Sequence, residues 1–146
     1  MRIYLAGPMF TPYERTFLAD CAGRLRAEGF EVFVPHEQGL VGRDATSKAV
    51  FEVDAGGVES ADAVLAVLDG PSVDDGTACE IGLFHGLKQG DPERKGVVGL
   101  LTDLRGERHG DFAVNLFVGG CIDASGGAVV ASLDEAVAIL DRWRSG

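Results

Sequence analysis

Four carboxylates lie within twelve residues of this chain, in the stretch LDGPSVDDGTACEIG at residues 68–82. They are Asp69, Asp74, Asp75 and Glu80, and they follow a strongly apolar run that is predicted to be a strand. Four like charges placed so close together repel one another, which favours a functional explanation over a structural one. Neighbouring carboxylates also move each other's pKa values apart, and this separation divides acid and base roles in catalysis.

Glu80 is the first candidate for a reacting group. The segment GTACEIGLFHGLKQG, residues 76–90, is predicted to form a helix that begins just after the aspartates. Unpaired N–H groups and the dipole at a helix start favour an ionised carboxylate, which can act as a nucleophile or stabilise a cation. Gly76 and Thr77 leave space for a ligand, and one of the aspartates is expected to be the N-cap. The alternative is that Glu80 only complements the helix dipole.

Two further segments contribute candidate residues. YLAGPMF places Tyr4 inside the first predicted strand and Gly7 and Pro8 at its end, where a Gly-Pro pair is most often only a turn. Asp54 lies in a helical stretch that is predicted to end near the same edge of the sheet, and the alternative is a solvated surface acid. His36 follows the second strand, which places it to line a pocket there.

Several common kinds of site are absent from the sequence. There is no G-x-x-x-x-G-K-[ST] phosphate loop and no G-x-G-x-x-G dinucleotide fingerprint. The three histidines lack metal-binding spacing, and Cys21, Cys79 and Cys121 are far apart along the chain. Neither a metal site nor a disulfide framework is therefore expected. We predict three small, buried thiols in a reducing compartment.

The composition is that of a single soluble domain. The 146 residues are 46% apolar and 25% charged, and 13 basic against 23 acidic residues give a formal net charge of -10. This excess of acid argues against binding to nucleic acid or to an anionic membrane, because both need basic patches. No secretory leader and no membrane-spanning apolar run is recognised, so we expect one cytoplasmic domain over residues 1–146.

Apolar, β-branched runs alternate with stretches of helical periodicity. Strands are predicted at residues 2–6, 30–35, 63–69 and 96–102, with a last strand or short hairpin within 121–132. Helices are predicted at residues 14–29, 48–60, 76–90 and 133–145, loops at 36–47 and 103–111, and residues 112–118 fit no single pattern. The nearly continuous apolar character of the strands indicates a parallel sheet covered on both faces. We therefore predict a flavodoxin-like, doubly wound α/β fold of five mostly parallel strands, which binds its ligand at their carboxyl ends.

The ordered set IYLAGPMF, VDAGGVESADAVLAVLDG, DDGTACEIG and VNLF resembles the nucleoside 2-deoxyribosyltransferase family over residues 2–118. Its most specific part is a D-x-G-x-x-x-E-[IL]-G pattern after a strand, combined with an I-Y-x-x-x-x-x-F start. The resemblance implies no cofactor and a homo-oligomer whose active sites are shared between subunits. It also implies transfer of 2-deoxyribose between nucleobases with retention at C1′, and hence nucleosides and nucleobases as ligands.

The resemblance further implies roles for individual residues. Glu80 is the expected nucleophile, which forms a covalent deoxyribosyl-enzyme, and Tyr4 is expected to orient it through a hydrogen bond. Asp54 and Asp74 are expected to bind the base and the 5′ side of the sugar, and one of them to protonate the departing base. Asn115 is expected to reach the neighbouring subunit's site. The remaining substrate-binding residues are expected to be Gly7, Pro8, Met9, Phe10, His36, Gln38, Asp75 and Gly76.

The chemistry of such a transfer fits a cluster of carboxylates. Departure of a base leaves an oxocarbenium-like sugar, so an anionic group is wanted below C1′. The leaving nitrogen needs a proton, which a second carboxyl group of higher pKa can supply.

Other activities stay open at this point. A deoxynucleoside 5′-monophosphate N-glycosidase uses the same glutamate with water as acceptor, but carries a serine where this chain has Asp74, and an aspartate repels a phosphate. Arg15 is the residue that could serve such a phosphate. Phosphoribohydrolases of the LOG type share a G-T-x-x-E stretch but carry P-G-G before it, where this chain has VDDGT. A non-catalytic nucleotide sensor is the alternative from another class. Base preference and subunit number are not determined by the sequence.

Overall fold

The computed structural model describes residues 1–40, 45–109 and 113–146. Its strands are β1 (Arg2–Ala6), β2 (Glu31–Phe33), β3 (Ala63–Val67), β4 (Val97–Leu100) and β5 (Ala128–Val130). Its α-helices are α1 (Pro12–Ala27), α2 (Ser47–Glu59), α3 (Asp75–Gly90), α4 (Arg105–His109), α5 (Leu116–Ala124) and α6 (Leu133–Ser145), and a 3-10 helix spans Pro35–Gln38.

The five strands form one parallel sheet in the order β2-β1-β3-β4-β5. The chain runs outward from β1 to β2, then returns to the other side of β1 and continues outward through β4 to β5. The loops that follow β1 and β3 therefore leave neighbouring strands at the switch point of the sheet. This topology confirms the predicted doubly wound α/β fold and puts the two candidate segments side by side.

Helices cover both faces of the sheet and enclose two cores. Successive side chains of a strand point to opposite faces, so Leu5 packs with α1 and α6 on one face. Tyr4 packs on the other face with residues of α2, α3 and α5, among them Val58, Phe84 and Ile122. The alternation along β1 therefore decides that Tyr4 faces the helix that carries Glu80.

Side-chain caps fix where the helices at the carboxyl edge begin. Thr11 and Glu14 form a reciprocal capping box at the start of α1. Asp74 is the N-cap of α3, and its Oδ2 accepts the N–H of Thr77 over 3.0 Å. Caps of this kind each stabilise a helix by about 1 kcal/mol. The prediction that one of the clustered aspartates is an N-cap is confirmed.

The structure differs from the predicted elements mainly between β4 and β5. Helix α5 occupies part of the segment that fitted no single pattern and continues to residue 124, where a strand or hairpin was expected to have begun. Its sequence LFVGGCIDA lacks a polar face, so periodicity does not reveal it, and packing against the core supports it instead. The short helix α4 and the 3-10 helix lie within segments predicted as loops. Residues 41–44 and 110–112 of these segments lie outside the described residues.

The cysteines are partly as predicted. Cys21 and Cys121 are buried, but Cys79 is exposed, so the prediction of three buried thiols is wrong at that position. Helix α3 turns Ile81 and Phe84 towards the sheet, and Cys79 falls on its opposite side because a helix turns about 100° per residue. Within the three described ranges, no helix is long and apolar enough to cross a membrane.

Gly57 of α2 tests the packing that brings this helix against the sheet. A Cβ at Gly57 would lie 2.6 Å from Cε1 of Phe33, and that ring is itself stacked on Tyr4. We expect Gly57→Ala to lower the free energy of unfolding by about 1–3 kcal/mol through overpacking, measured by urea denaturation. The matched control is Gly56→Ala, where nothing lies within 4 Å, and alanine should stabilise the helix by up to about 1 kcal/mol. Equal effects at both positions would contradict this account of the packing.

Candidate active site

A short hydrogen bond joins the first strand to the third helix at the carboxyl edge of the sheet. The hydroxyl of Tyr4 donates to Oε1 of Glu80 over 2.6 Å. Tyr4 is fully buried, and its ring stacks on Phe33 with the two ring centroids 5.4 Å apart. The tyrosine is thus held by burial and by the stack on Phe33, and its hydroxyl fixes the direction of one carboxylate oxygen.

Glu80 lies in an environment that disfavours its charge. Removal from water is the largest cause and raises the pKa of Glu80 to about 7; the hydrogen bond from Tyr4 opposes this rise, and the charges of Asp54 and Asp74 add to it. Glu80 stands six residues after the N-cap, beyond the free N–H groups of the first turn. The expectation that the helix start keeps it ionised is therefore corrected, and both protonation states are populated at neutral pH.

Asp54 and Tyr4 share this water-poor environment. Burial raises the pKa of Asp54 above its usual range. Burial, then the charge of Glu80, their hydrogen bond and the charge of Asp54 together hold the pKa of Tyr4 far above its usual range. Tyr4 therefore stays protonated and acts as a hydrogen-bond donor. Asp54, on α2, is half-buried rather than a solvated surface acid.

The loop after β1 is held in one shape by close contacts. A Cβ at Gly7 would lie 2.8 Å from Cδ2 of Leu18, so glycine allows the loop to lie directly against α1. One nitrogen, Nη1 of Arg15, donates to the carbonyl oxygens of Met9 and Phe10 over 2.7 and 3.1 Å. The side chain of Phe10 is left 75% exposed at the end of this fixed loop.

An acidic cleft of about 350 Å³ lies between the loop after β1 and the loop after β3. Pro8 and Phe10 form part of its wall. Its carboxylates are Glu14, Asp69, Asp74 and Asp75, and within the described part of the chain no lysine, arginine or histidine lines it. The Tyr4–Glu80 pair lies beside this cleft rather than in its wall. Asp74 connects the two, because it lines the cleft and its charge acts on Glu80.

Asp74, Asp75 and Gly76 have local structural contacts as well. Besides the N–H of Thr77, the hydroxyl of Thr77 donates to Oδ2 of Asp74 over 3.3 Å. Asp75 is exposed, and its Oδ1 accepts the N–H of Gly76 over 2.8 Å. A Cβ at Gly76 would lie 3.2 Å from Oδ2 of Asp74, so a glycine keeps the cap uncrowded.

Three predicted substrate-binding residues lie on other elements at the edge of the sheet. His36 is on the 3-10 helix after β2, and its buried Nδ1 has no hydrogen-bond partner among the described residues. Gln38 of the same turn is exposed and donates through Nε2 to the carbonyl of Val34 over 3.0 Å. Asn115 is exposed at the start of α5, and its Oδ1 accepts the N–H of Phe117 over 2.9 Å. Within one chain Asn115 is thus the N-cap of α5, and the structure does not by itself give it a second role.

Two residues of this region were missed by the sequence analysis. Phe33 ends β2, and only the pairing of β2 with β1 places its ring on Tyr4. Arg105 follows β4 and donates one hydrogen bond back to the carbonyl of Leu68, directly after β3. Neither carries a sequence motif, because both act through neighbours that are distant along the chain. In the part of the chain that the structure covers, no group of three or more His, Cys, Asp or Glu side chains could hold a metal ion.

Residues 3–132 match the family described as nucleoside 2-deoxyribosyltransferase. The chain belongs to this family. Proteins of the nucleoside 2-deoxyribosyltransferase family act on nucleosides and nucleobases.

Solved structures of other proteins share the fold of this chain. A conserved protein of Enterococcus faecalis V583 is 26% identical, with a TM-score of 0.78 over 97% of this chain and 98% of its own. A 2-deoxyribosyltransferase of Bacillus psychrosaccharolyticus is 24% identical, with a TM-score of 0.71 over 93% and 90% of the two chains. The CMP N-glycosidase BcmB of Clostridium botulinum is 19% identical, with a TM-score of 0.64 over 98% and 99%. At these identities the last two show the fold. The family match places the chain among the nucleoside 2-deoxyribosyltransferases, and the two structures show that proteins named as a 2-deoxyribosyltransferase and as an N-glycosidase share its fold.

The raised pKa of Glu80 should make the free energy of unfolding depend on pH. Because the folded protein holds this proton more tightly than the unfolded chain, the contribution of Glu80 to stability falls as the pH rises from about 4.5 to about 7. Glu80→Gln removes this titration. We expect the variant to gain stability relative to the wild type between pH 5 and pH 8, by on the order of 2 kcal/mol. Urea unfolding at both pH values measures this difference, and a constant difference would show that Glu80 titrates normally.

Proposed function

We propose that the protein transfers 2-deoxyribose between nucleobases through a covalent intermediate on Glu80. The observation that carries the proposal is the 2.6 Å hydrogen bond from the buried Tyr4 to Glu80. It fixes one carboxylate oxygen, in a water-poor environment, at the carboxyl edge of a parallel sheet where ligands of this fold bind. A positioned carboxylate of this kind is the nucleophile of retaining glycosyl transfer.

In the first half-reaction, the ionised carboxylate of Glu80 attacks C1′ of a deoxynucleoside. A bond forms between the carboxylate oxygen and C1′, and the bond from C1′ to the base nitrogen breaks. The departing base takes its electron pair and needs a proton, which Asp54 supplies, because its raised pKa keeps a larger share of it protonated than an exposed aspartate. Tyr4 donates its hydrogen bond throughout and holds the attacking carboxylate in place.

In the second half-reaction, a nitrogen of the incoming base attacks C1′ from the face that the first base left. The bond to Glu80 breaks, and the carboxylate is regenerated. A proton returns from the incoming base to Asp54. Two displacements at C1′ give overall retention. Water in place of the incoming base would give hydrolysis, which is the alternative activity of an N-glycosidase.

The acidic cleft favours a nucleoside with a free 5′-hydroxyl, rather than a 5′-monophosphate, as the substrate. A phosphate dianion placed there would face the carboxylates of Glu14, Asp74 and Asp75. Arg15 does not line this cleft, and its Nη1 donates to the carbonyl oxygens of Met9 and Phe10. A neutral hydroxyl can instead donate a hydrogen bond to a carboxylate. His36 and Gln38, on the opposite side of β1, are proposed to contact the base.

A second copy of the chain is proposed to complete the site in a homo-oligomer. Phe117 and Leu116 are 80% and 66% exposed at the start of α5, directly after Asn115. Leu116 lines a depression of about 520 Å³ between α5 and the β4–β5 edge. Two neighbouring large apolar side chains in water are typical of an interface. Burial of this surface against a partner is proposed to carry Asn115 to the partner's site. A cytoplasmic location, where free nucleosides and bases occur, fits this function.

The proposal is tested by base exchange. We expect the protein to convert 2′-deoxyinosine and free adenine into 2′-deoxyadenosine and to leave dCMP and dGMP intact. Chromatography measures the products of both reactions. Glu80→Ala should lower the exchange rate by at least about 10³-fold, because it removes the nucleophile. The matched control Glu59→Gln changes an exposed glutamate at the end of α2 and should exchange at the wild-type rate. Free base from the monophosphates without exchange would instead establish the glycosidase.

The hydrogen bond from Tyr4 to Glu80 should affect how the exchange activity depends on pH. Glu80 attacks only when ionised, and Asp54 protonates the base only while it carries its proton. The profile of kcat/KM against pH should therefore pass through a maximum, and one of its two limbs should have the apparent pKa of Glu80, about 7. Tyr4→Phe removes the hydrogen bond that lowers the pKa of Glu80 and keeps the ring on Phe33. The limb with the apparent pKa of Glu80 should therefore move to higher pH, by roughly one pH unit. Exchange rates between pH 5 and pH 9 measure this, and an unmoved limb would show that Tyr4 does not control the ionisation of Glu80.

A further inference from the structure

A reciprocal pair of aspartates joins the loops that follow β3 and β4. Asp69, after β3, accepts the N–H and the hydroxyl of Thr102, both over 2.6 Å, and the N–H of Asp103 over 3.1 Å. Asp103, after β4, accepts the N–H of Gly70 over 3.1 Å. Each aspartate thus satisfies backbone donors of the other loop. We call the side chains of Asp69, Asp103 and Arg105 the β3–β4 clamp.

Arg105 closes this clamp. Its Nε lies 3.1 and 2.8 Å from the two carboxylate oxygens of Asp103, and its Nη2 donates to the carbonyl of Leu68 over 2.9 Å. The side chains of Arg105 and Asp103 are only 22% and 30% exposed, so this ion pair is shielded from water more than a surface pair. Burial opposes ionisation of Asp103, but hydrogen bonds from the N–H groups of Arg105 and Gly70 and from the guanidinium hold its pKa below the usual range. The pair is therefore charged at neutral pH.

The clamp lies at one end of the loop that carries Asp74. Within the described residues, hydrogen bonds hold this loop at two places, the clamp at Asp69 and Gly70 and the N-cap contacts between Asp74 and Thr77. Gly70 adopts a φ of +128°, a conformation that only glycine adopts without strain. The direction in which the loop leaves β3 is thus set at Gly70, and four residues later the chain reaches the carboxylate beside Glu80.

We infer that Arg105 is a positioning residue, which acts through Asp69 and Asp103 to hold Asp74 at a fixed place beside Glu80. The inference rests on the proposed function for its catalytic consequence, although the placement of Asp74 can be measured without turnover. Small displacements of groups that surround a reacting centre lower rates steeply, even when the displaced group lies outside the reaction itself. A rigid clamp on the β3 side therefore complements the Tyr4 contact on the β1 side.

Arg94 offers a matched control on the opposite edge of the sheet. Its Nη1 and Nη2 donate to the carbonyls of Ala61 and Glu59 over 2.8 and 2.7 Å, and its Nε lies 3.4 Å from Oδ2 of Asp91. Like Arg105, it is a half-buried arginine that joins an aspartate to main-chain carbonyls. It differs in lying at the amino-terminal ends of β3 and β4 rather than at their carboxyl ends. Loss of either arginine should lower stability, but only loss of Arg105 should disturb Asp74.

The experiment measures the pKa of Glu80 directly, from the ¹³C chemical shift of its carboxyl carbon in a pH titration. The groups that act on Glu80 are Tyr4 from β1, Asp54 from α2 and Asp74 from the loop. Because Asp74 raises this pKa, its displacement should lower it. We expect Arg105→Ala to lower the pKa of Glu80 by roughly 0.5 or more and the base-exchange kcat by roughly tenfold. Arg94→Ala should leave both at the wild-type value.

A milder variant keeps the test decisive if Arg105→Ala folds poorly. Arg105→Lys keeps the positive charge but cannot contact Asp103 and Leu68 with the same planar group, so it should shift the pKa of Glu80 in the same direction by less. An unchanged pKa in folded Arg105 variants, or equal changes in the Arg94 variant, would show that the clamp is only structural. If the wild type performs no exchange or hydrolysis, the proposed function fails, while the titration still decides whether Arg105 positions Asp74.

Discussion

The buried contact between Tyr4 and Glu80 is the constraint on which the rest of the site depends. A carboxylate removed from water is costly to ionise, and two further acids nearby raise that cost. A single hydrogen bond from a tyrosine that cannot itself ionise offsets part of the penalty. The balance leaves Glu80 able to take either state at neutral pH, which fits the roles of nucleophile and leaving group that we propose for it.

The two faces of the sheet support the contact between Tyr4 and Glu80 in different ways. The face covered by α1 and α6 is a continuous apolar core that holds β1 rigidly. On the opposite face, Tyr4 is packed against Phe33, and the close approach of Phe33 to Gly57 sets how near α2 lies. The distance of Asp54 from the site is therefore decided by aromatic packing rather than by a polar contact. Parallel pairing then brings the ends of β1 and β3 to one edge, where the loops meet.

The four clustered carboxylates have separate tasks. Asp69 binds backbone donors of the β4 loop, Asp74 caps α3, and Asp75 accepts the N–H of Gly76. Among these four, only Glu80 accepts a hydrogen bond from a phenol hydroxyl, that of Tyr4 on β1. Backbone N–H groups thus neutralise much of the repulsion that makes the cluster look unfavourable in the sequence. The charge that remains makes the cleft acidic, and this charge, rather than any single residue, disfavours a phosphate.

The sequence by itself determined the doubly wound α/β fold and the N-cap role of one clustered aspartate, which follow from apolar runs and helical periodicity. The pairing of Tyr4 with Glu80 was expected only from the resemblance to the nucleoside 2-deoxyribosyltransferase family. Only the tertiary structure decided that the pKa of Glu80 is about 7, because the burial of Glu80 depends on the packing of α2 and α3 around it. It also decided the positions of Phe33 and Arg105, whose partners lie 29 and 37 residues away, and the existence of α5, whose stability comes from contacts rather than from its own sequence.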